Sequence, residues 1–86
     1  MKAVYFEENG GPEVLQYGDL PDPVAGADEI VADIHVASVN GADWKVRAGS
    51  YAPTAFFPYI CGRDFSGIVS AVGADVTDLA VGDAVF

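Results

Sequence analysis

A mainly β fold with one short helix is predicted by three features of this 86-residue chain. Apolar and polar residues alternate with period two over most of its length, as half-buried strands require. Between the alternating runs stand clusters of glycine, proline, asparagine and aspartate, which break a chain into hairpins and loops. One stretch, 40–48, carries helix start and stop signals instead. With 51% hydrophobic and 20% charged residues, the composition favours a packed core over disorder.

Each element follows in order. Residues 2–7 read as a first strand, and Asn9-Gly10-Gly11-Pro12 as dense turn chemistry. Residues 13–17 read as a second strand, so 2–17 is expected to form a hairpin. Pro21-Asp22-Pro23 through Gly26 is a loop held extended by its prolines. Residues 28–39 give the clearest strand, with Ile30, Ala32, Ile34, Val36 and Ser38 assigned to the core face. His35 falls on the more polar face and reads as a surface residue.

Asn40 suits an N-cap, Asp43 sits near the positive end of the helix dipole, and Gly49 suits a C-terminal stop. Asp43 and Arg47, four apart, are expected to pair on one helix face. The aromatic, proline-interrupted stretch 50–59 reads as an ordered loop, 65–72 as a strand, 74–78 as a turn and 80–86 as a last strand. The chain ends on apolar Ala84-Val85-Phe86, apparently in mid-strand, so a piece of a longer chain is expected.

Eighty-six residues make one domain or part of one, and a chain of this size buries only about 60% of its unfolded surface. Four Lys and Arg stand against thirteen Asp and Glu, a net charge of −9. That field repels nucleic-acid phosphates and anionic headgroups, so neither nucleic acid nor membrane is an expected partner. No apolar run nears the ~20 residues that span a bilayer, and the start shows no signal segment, so a cytoplasmic location is expected. Lone Cys61 excludes an internal disulfide, and with a single histidine it cannot complete a four-ligand zinc site from this segment. Three of the four cations, Lys45, Arg47 and Arg63, fall in two short segments, a distribution that fits a local pocket for an anionic cofactor.

Those segments are the most informative in the chain: Val39-Asn40-Gly41-Ala42-Asp43-Trp44-Lys45-Val46-Arg47-Ala48-Gly49-Ser50-Tyr51, and Gly62-Arg63-Asp64-Phe65-Ser66-Gly67 with Gly73 and Val76 beyond. With the opening Met1-Lys2-Ala3-Val4, Gly10-Gly11-Pro12-Glu13-Val14-Leu15 and the closing Val81-Gly82-Asp83-Ala84-Val85, they resemble the medium-chain dehydrogenase/reductase family from end to end. The closest branch is that of the zinc-independent quinone oxidoreductases and alkenal reductases. The resemblance implies an incomplete GroES-like, partly open β-barrel with one short helix, residues 1–86 being the N-terminal part of the catalytic domain. The family's Rossmann nucleotide-binding domain is absent from this chain, which has no Gly-x-Gly-x-x-Gly opening a helix.

In zinc-dependent members a cysteine takes the place of Asn40, a histidine that of Arg63 and a glutamate that of Asp64. Asn40 is a poor zinc ligand and Arg63 a permanent cation, so no zinc is expected. The resemblance implies hydride transfer from NADPH to a quinone or an α,β-unsaturated carbonyl, by a homodimeric parent in which this segment alone is inert. Asn40 and Lys45 would lie near the nicotinamide end of NADPH, Lys45 and Tyr51 would meet the substrate, and Arg63 is a candidate anchor for phosphate or substrate. Other readings stand beside these. Asn40 serves equally as a helix cap, Lys45 as a solvated lysine, Trp44 as core or pocket wall, and Arg63 and Asp64 as partners of each other or of nearby backbone. Two alternatives for the whole are a zinc-type alcohol dehydrogenase and a non-catalytic GroES-like β-barrel binding module.

Overall fold

The structure is a computed structural model and describes residues 1–51 and 53–86. The chain forms two compact units interleaved in sequence, Met1–Pro21 with Val39–Arg63, and Asp22–Ser38 with Asp64–Phe86. The fold is mainly β with one helix, and its strands make two open sheets, one of two strands and one of three.

In the first unit β1 (Lys2–Tyr5) pairs antiparallel with β2 (Gln16–Asp19), Lys2 opposite Asp19 and Tyr5 opposite Gln16. The expected hairpin forms, but its second strand starts later than alternation suggested. Pro12–Val14 is a 3-10 turn, because proline at its first position sets φ and Leu15 N–H closes on the Pro12 carbonyl at 3.1 Å. Phe6 leaves the hairpin to form a two-bond bridge with Tyr59, its N–H donating at 3.0 Å and its carbonyl accepting at 2.9 Å. Its ring is completely buried, with the Phe57 ring edge-on at 6.0 Å and the Tyr59 ring at 5.5 Å. Burial of such a side chain contributes about 1.5–3 kcal/mol, so this aromatic knot is the apolar anchor of the unit. Helix α1 (Gly41–Ala48) completes it, one residue shorter than the 40–48 reading because Asn40 is the cap. Position 52, within the loop expected over 50–59, lies outside the described residues.

The second unit is the sheet β3 (Ile30–Ala37), β4 (Phe65–Val72) and β5 (Ala84–Val85), antiparallel and in that order. Strand β4 spans the 65–72 expected, and its Val69 is the fully buried apolar side chain of the unit. Two expectations are corrected. The strand over 80–86 shrinks to two residues, because Asp83 folds the chain into a turn, its carboxylate accepting the Ala80 N–H at 2.9 Å and its own N–H reaching the Ala80 carbonyl at 3.1 Å. The core face assigned to the long strand also fails toward its end, where Ile34 is 63% and Val36 65% exposed. From Asp33 to Ala37 every residue of the strand is exposed, whichever face it points to, so alternation there does not mark a core face; the two pairing irregularities add Ser70 to β4 and His35 to β3. His35, within the second irregularity, is exposed as expected.

Strands β3 and β4 approach so closely at Gly67 that a Cβ there would overlap the Asp33 carbonyl oxygen and lie 2.9 Å from its carbon. Backbone cannot swing aside as a side-chain tip can, so Gly67→Ala is expected to cost about 1–3 kcal/mol, the usual range for overpacking. Gly41→Ala is the control. Its Cβ would meet nothing closer than 4.0 Å, and alanine favours the helix by about 1 kcal/mol. Denaturant midpoints should therefore fall for Gly67→Ala and hold or rise for Gly41→Ala; equal midpoints would remove the close approach as a constraint.

Candidate functional site

The residues singled out by the sequence gather around α1 and the segment that precedes β4. Asn40 enters the helix with an extended backbone (φ −117°, ψ 156°), and with Asp43 it forms a capping box, in which the Asp43 carboxylate accepts the Asn40 N–H at 3.0 Å. At the far end Gly49 takes the left-handed conformation (φ 81°) that glycine tolerates, and its N–H returns to the Val46 carbonyl at 3.0 Å. Ser50 N–H donates to the Lys45 carbonyl at 3.0 Å, and the Asn9 amide nitrogen donates to Val46 O at 3.1 Å and Arg47 O at 3.2 Å while also reaching Thr54 Oγ1 at 3.0 Å. A backbone bond from Gly10 to Arg47 at 2.9 Å and an Arg47 Nε bond to the Gly10 carbonyl at 3.2 Å complete the clamp. The sequence reading took Asn9 only as a turn residue.

Lys45 projects from the helix into solvent, its ammonium 5.7 Å from the centroid of the Trp44 ring, itself about half exposed. Arg63 has a neighbour that its sequence context did not suggest. Its guanidinium carbon lies 5.0 Å from the centroid of the Tyr51 ring, a cation–π stack. Asp64 is engaged elsewhere, accepting from Ser38 Oγ at 3.1 Å. The expected Asp43–Arg47 ion pair is also corrected, since the aspartate is spent on the helix cap and the arginine on the Gly10 carbonyl. The structure thus brings Tyr51 and Arg63 together and puts Asn40 and Lys45 on one helix; among the described residues no contact joins Lys45 to the stacked pair.

Beside the stack is a concavity of about 170 Å³ lined by Asp43, Val46, Tyr59, Cys61, Gly62 and Arg63. Gly62 has φ 138°, a region that glycine favours, and a Cβ there would meet no atom within 4 Å. Cys61 is half-buried on this wall with its thiol 3.7 Å from the Asp43 carbonyl oxygen. Burial pushes the Cys61 thiol up from its ordinary value, the Asp43 charge adds to the rise and Arg47 opposes it. Among the described residues no three His, Cys, Asp or Glu side chains converge as metal ligands.

The thiol gives a direct check on this wall. A raised pKa means less thiolate at any pH near 8, so alkylation of Cys61 should reach its midpoint at higher pH than a free cysteine does. Asp43→Asn removes the like charge yet keeps an oxygen able to cap the helix, so it should shift that midpoint downward. An unmoved midpoint in the pH profile of iodoacetamide labelling would detach the carboxylate from the thiol.

Residues 26–86 match the alcohol dehydrogenase GroES-like domain. Among curated proteins the chain is 34% identical to the quinone oxidoreductase of Homo sapiens, covering 100% of this chain and 26% of that relative. It thus spans about a quarter of the length of the relatives it matches. Among solved structures it resembles the quinone oxidoreductase of Escherichia coli complexed with NADPH, with a TM-score of 0.90 and 32% identity over 98% of this chain and 26% of that one. It also resembles the cobalt- and zinc-bound thermostable alcohol dehydrogenase of Pyrobaculum aerophilum, with a TM-score of 0.89 and 32% identity over 98% of this chain and 25% of that one. With most of this chain, residues 26–86, matched by the family's domain and its backbone similar to that of such enzymes, the chain belongs to the alcohol dehydrogenase GroES-like domain family.

Proposed function

We propose that this segment is the N-terminal part of the catalytic domain of a zinc-independent, NADPH-dependent quinone or enone oxidoreductase. The observation that carries the reading is the placement of Arg63 beside the aromatic wall of Tyr51, next to the helix that bears Asn40 and Lys45. Likeness to quinone oxidoreductases across the whole chain supports it, as does the NADPH in the Escherichia coli relative. The nucleotide-binding domain lies outside these 86 residues in this reading, the segment alone is inert, and the whole protein acts in the cytoplasm as a homodimer on a small-molecule acceptor. A surface of net charge −9 supports the absence of nucleic-acid and membrane partners.

The residues present suit anionic ligands, Lys45 toward the dinucleotide and Arg63 toward a phosphate or the substrate. In a chain so acidic, two of the four cations, Lys45 and Arg63, face outward from one unit, and the other two hold Asp19 and the Gly10 carbonyl. Asn40 would hold the nicotinamide carboxamide or ribose with its amide, and Lys45 the ribose hydroxyls. Reduced nicotinamide, when bound, supplies a hydride. Reduction of a quinone, or of an enone at its β-carbon, would put negative charge on the acceptor oxygen. Lys45 stabilises that charge, and Tyr51 forms a flat wall of the acceptor cleft and donates its hydroxyl. A donor set in which asparagine and arginine stand where metal-dependent relatives have cysteine and histidine supports chemistry without zinc.

The test uses the whole protein that carries this segment. It should consume NADPH in the presence of quinones or enones, and exhaustive chelation should leave the rate unchanged; a rate lost to chelator and restored by zinc would favour the alcohol dehydrogenase alternative. Lys45→Ala should lower kcat about a hundredfold, the scale seen when one oxyanion donor is removed, with the folded state unaltered by circular dichroism. Asn40→Ala also loses a helix cap, about 1 kcal/mol, so Asn40→Asp is the informative partner because it keeps the cap and loses the amide donor. Wild-type turnover in both Asn40→Asp and Lys45→Ala would remove these residues from the site.

A further inference from the structure

The concavity beside Arg63 has a property that the reaction itself does not require. Five of the donors of an arginine lie in one plane, and stacking on an aromatic face leaves the edge of that plane open to a carboxylate in two-point contact. The Arg63 guanidinium carbon lies over the Tyr51 ring at 5.0 Å from its centroid, and among the described residues the guanidinium makes no hydrogen bond or ion pair. The cavity next to it opens at Gly62, where no atom lies within 4 Å of a notional side chain.

Charge decides what the cavity accepts. Three charged groups act on its wall: Asp43, which lines it, Arg47, which is near enough to act on Cys61, and Arg63. Asp43 is already neutralised in part by its cap bond to the Asn40 N–H, and Arg47 by the Gly10 carbonyl. One negative and two positive charges leave a surplus cation, in a chain whose net charge is −9. Size decides between sources of the anion. A volume of about 170 Å³ is that of a benzene-sized group, which a small acidic substituent fills and a dinucleotide does not.

We propose that Arg63, stacked on Tyr51, forms with this concavity a carboxylate-binding subsite that selects acceptors bearing an acidic substituent. This rests on the reading of Tyr51 as a wall of the acceptor cleft and deepens it by naming the substrate class: quinones or enones that carry a carboxylate a short distance from the reducible carbonyl. Tyr51 then has two functions, holding the arginine plane with its ring and meeting the acceptor with its hydroxyl.

Two measurements on the whole protein test this, one of them independent of turnover. The first is kcat/KM for a pair of quinones alike except for a carboxylate. The wild type should prefer the acidic member by tenfold or more, Arg63→Met should abolish that ratio, and Arg63→Lys should recover it only in part, because it keeps the charge without the planar fork. An unchanged ratio in Arg63→Met overturns the subsite. So does a loss that falls on KM for NADPH with the ratio intact, since the arginine would then serve a cofactor phosphate. The second is calorimetric titration with benzoate and, as its neutral counterpart, benzamide. Benzoate should bind the wild type and not Arg63→Met, and benzamide neither. If the wild type reduces no acceptor yet binds benzoate through Arg63, the oxidoreductase reading fails while the subsite stands; if benzoate binds both forms equally, the subsite fails whatever the enzyme reduces.

Discussion

The contact on which the first unit depends is the amide of Asn9 against the last carbonyls of α1. An eight-residue helix is too short to persist in water by its own hydrogen bonds, since nucleation is costly and few propagation steps follow. Its stability has to come from its ends and from what it packs on. The capping box fixes the start, and Asn9, with the Gly10–Arg47 exchange, satisfies the carbonyls at the finish. Because Asn9 belongs to the turn between β1 and β2, the hairpin and the helix are tied where each is weakest. Asn40 and Lys45 ride on that helix, so the geometry of the candidate site follows from a turn residue thirty-one positions before Asn40.

What the sequence made legible was local. Asn40, Asp43 and Gly49 announced a helix because capping is read from residues within one turn of each other, and the structure has that helix with that cap and that stop. Strand β4 was equally plain, since Phe65 to Val72 is bounded by polar and glycine residues on both sides. The reach of Asn9 to Val46 was not legible, because a side chain bonding 37 positions away leaves no periodic trace. Nor was the fate of Asp43 and Arg47. Spacing of four permits an ion pair, but a cap bond and a carbonyl compete for the same groups and win here, as exposed ion pairs contribute little.

The second unit shows the same limit in another form. Alternation assigns faces only while a strand runs without interruption. A bulge inserts one residue into one strand only, and of the two irregularities here one adds Ser70 to β4 and the other adds His35 to β3. Ile34 and Val36 stand exposed with every residue from Asp33 to Ala37, so the pattern they share with Ile30 marks no covered face at this end of the strand. Gly67, by contrast, stands in a motif that the sequence singles out, although only the structure shows its close approach to the Asp33 carbonyl. Motif glycines are informative about where the backbone is crowded and silent about the partner.

Charge links the fold to the site. With thirteen acidic residues and four basic ones, every cation is placed at a cost to some other attractive partner. Lys2 is used to close a hairpin and Arg47 to seal a helix end, roles that consume their donors. Arg63 is used for neither. Its contact with the Tyr51 ring contributes about 0.5–1 kcal/mol at an exposed site, as much as an exposed ion pair would, and uses none of its N–H donors. The nearest carboxylate in sequence, Asp64, is bonded to Ser38, and the one on the cavity wall, Asp43, is bonded to the helix cap. With the carboxylate of the cavity wall committed to the helix cap, Arg63 is a cation of that wall available to an anion brought from outside.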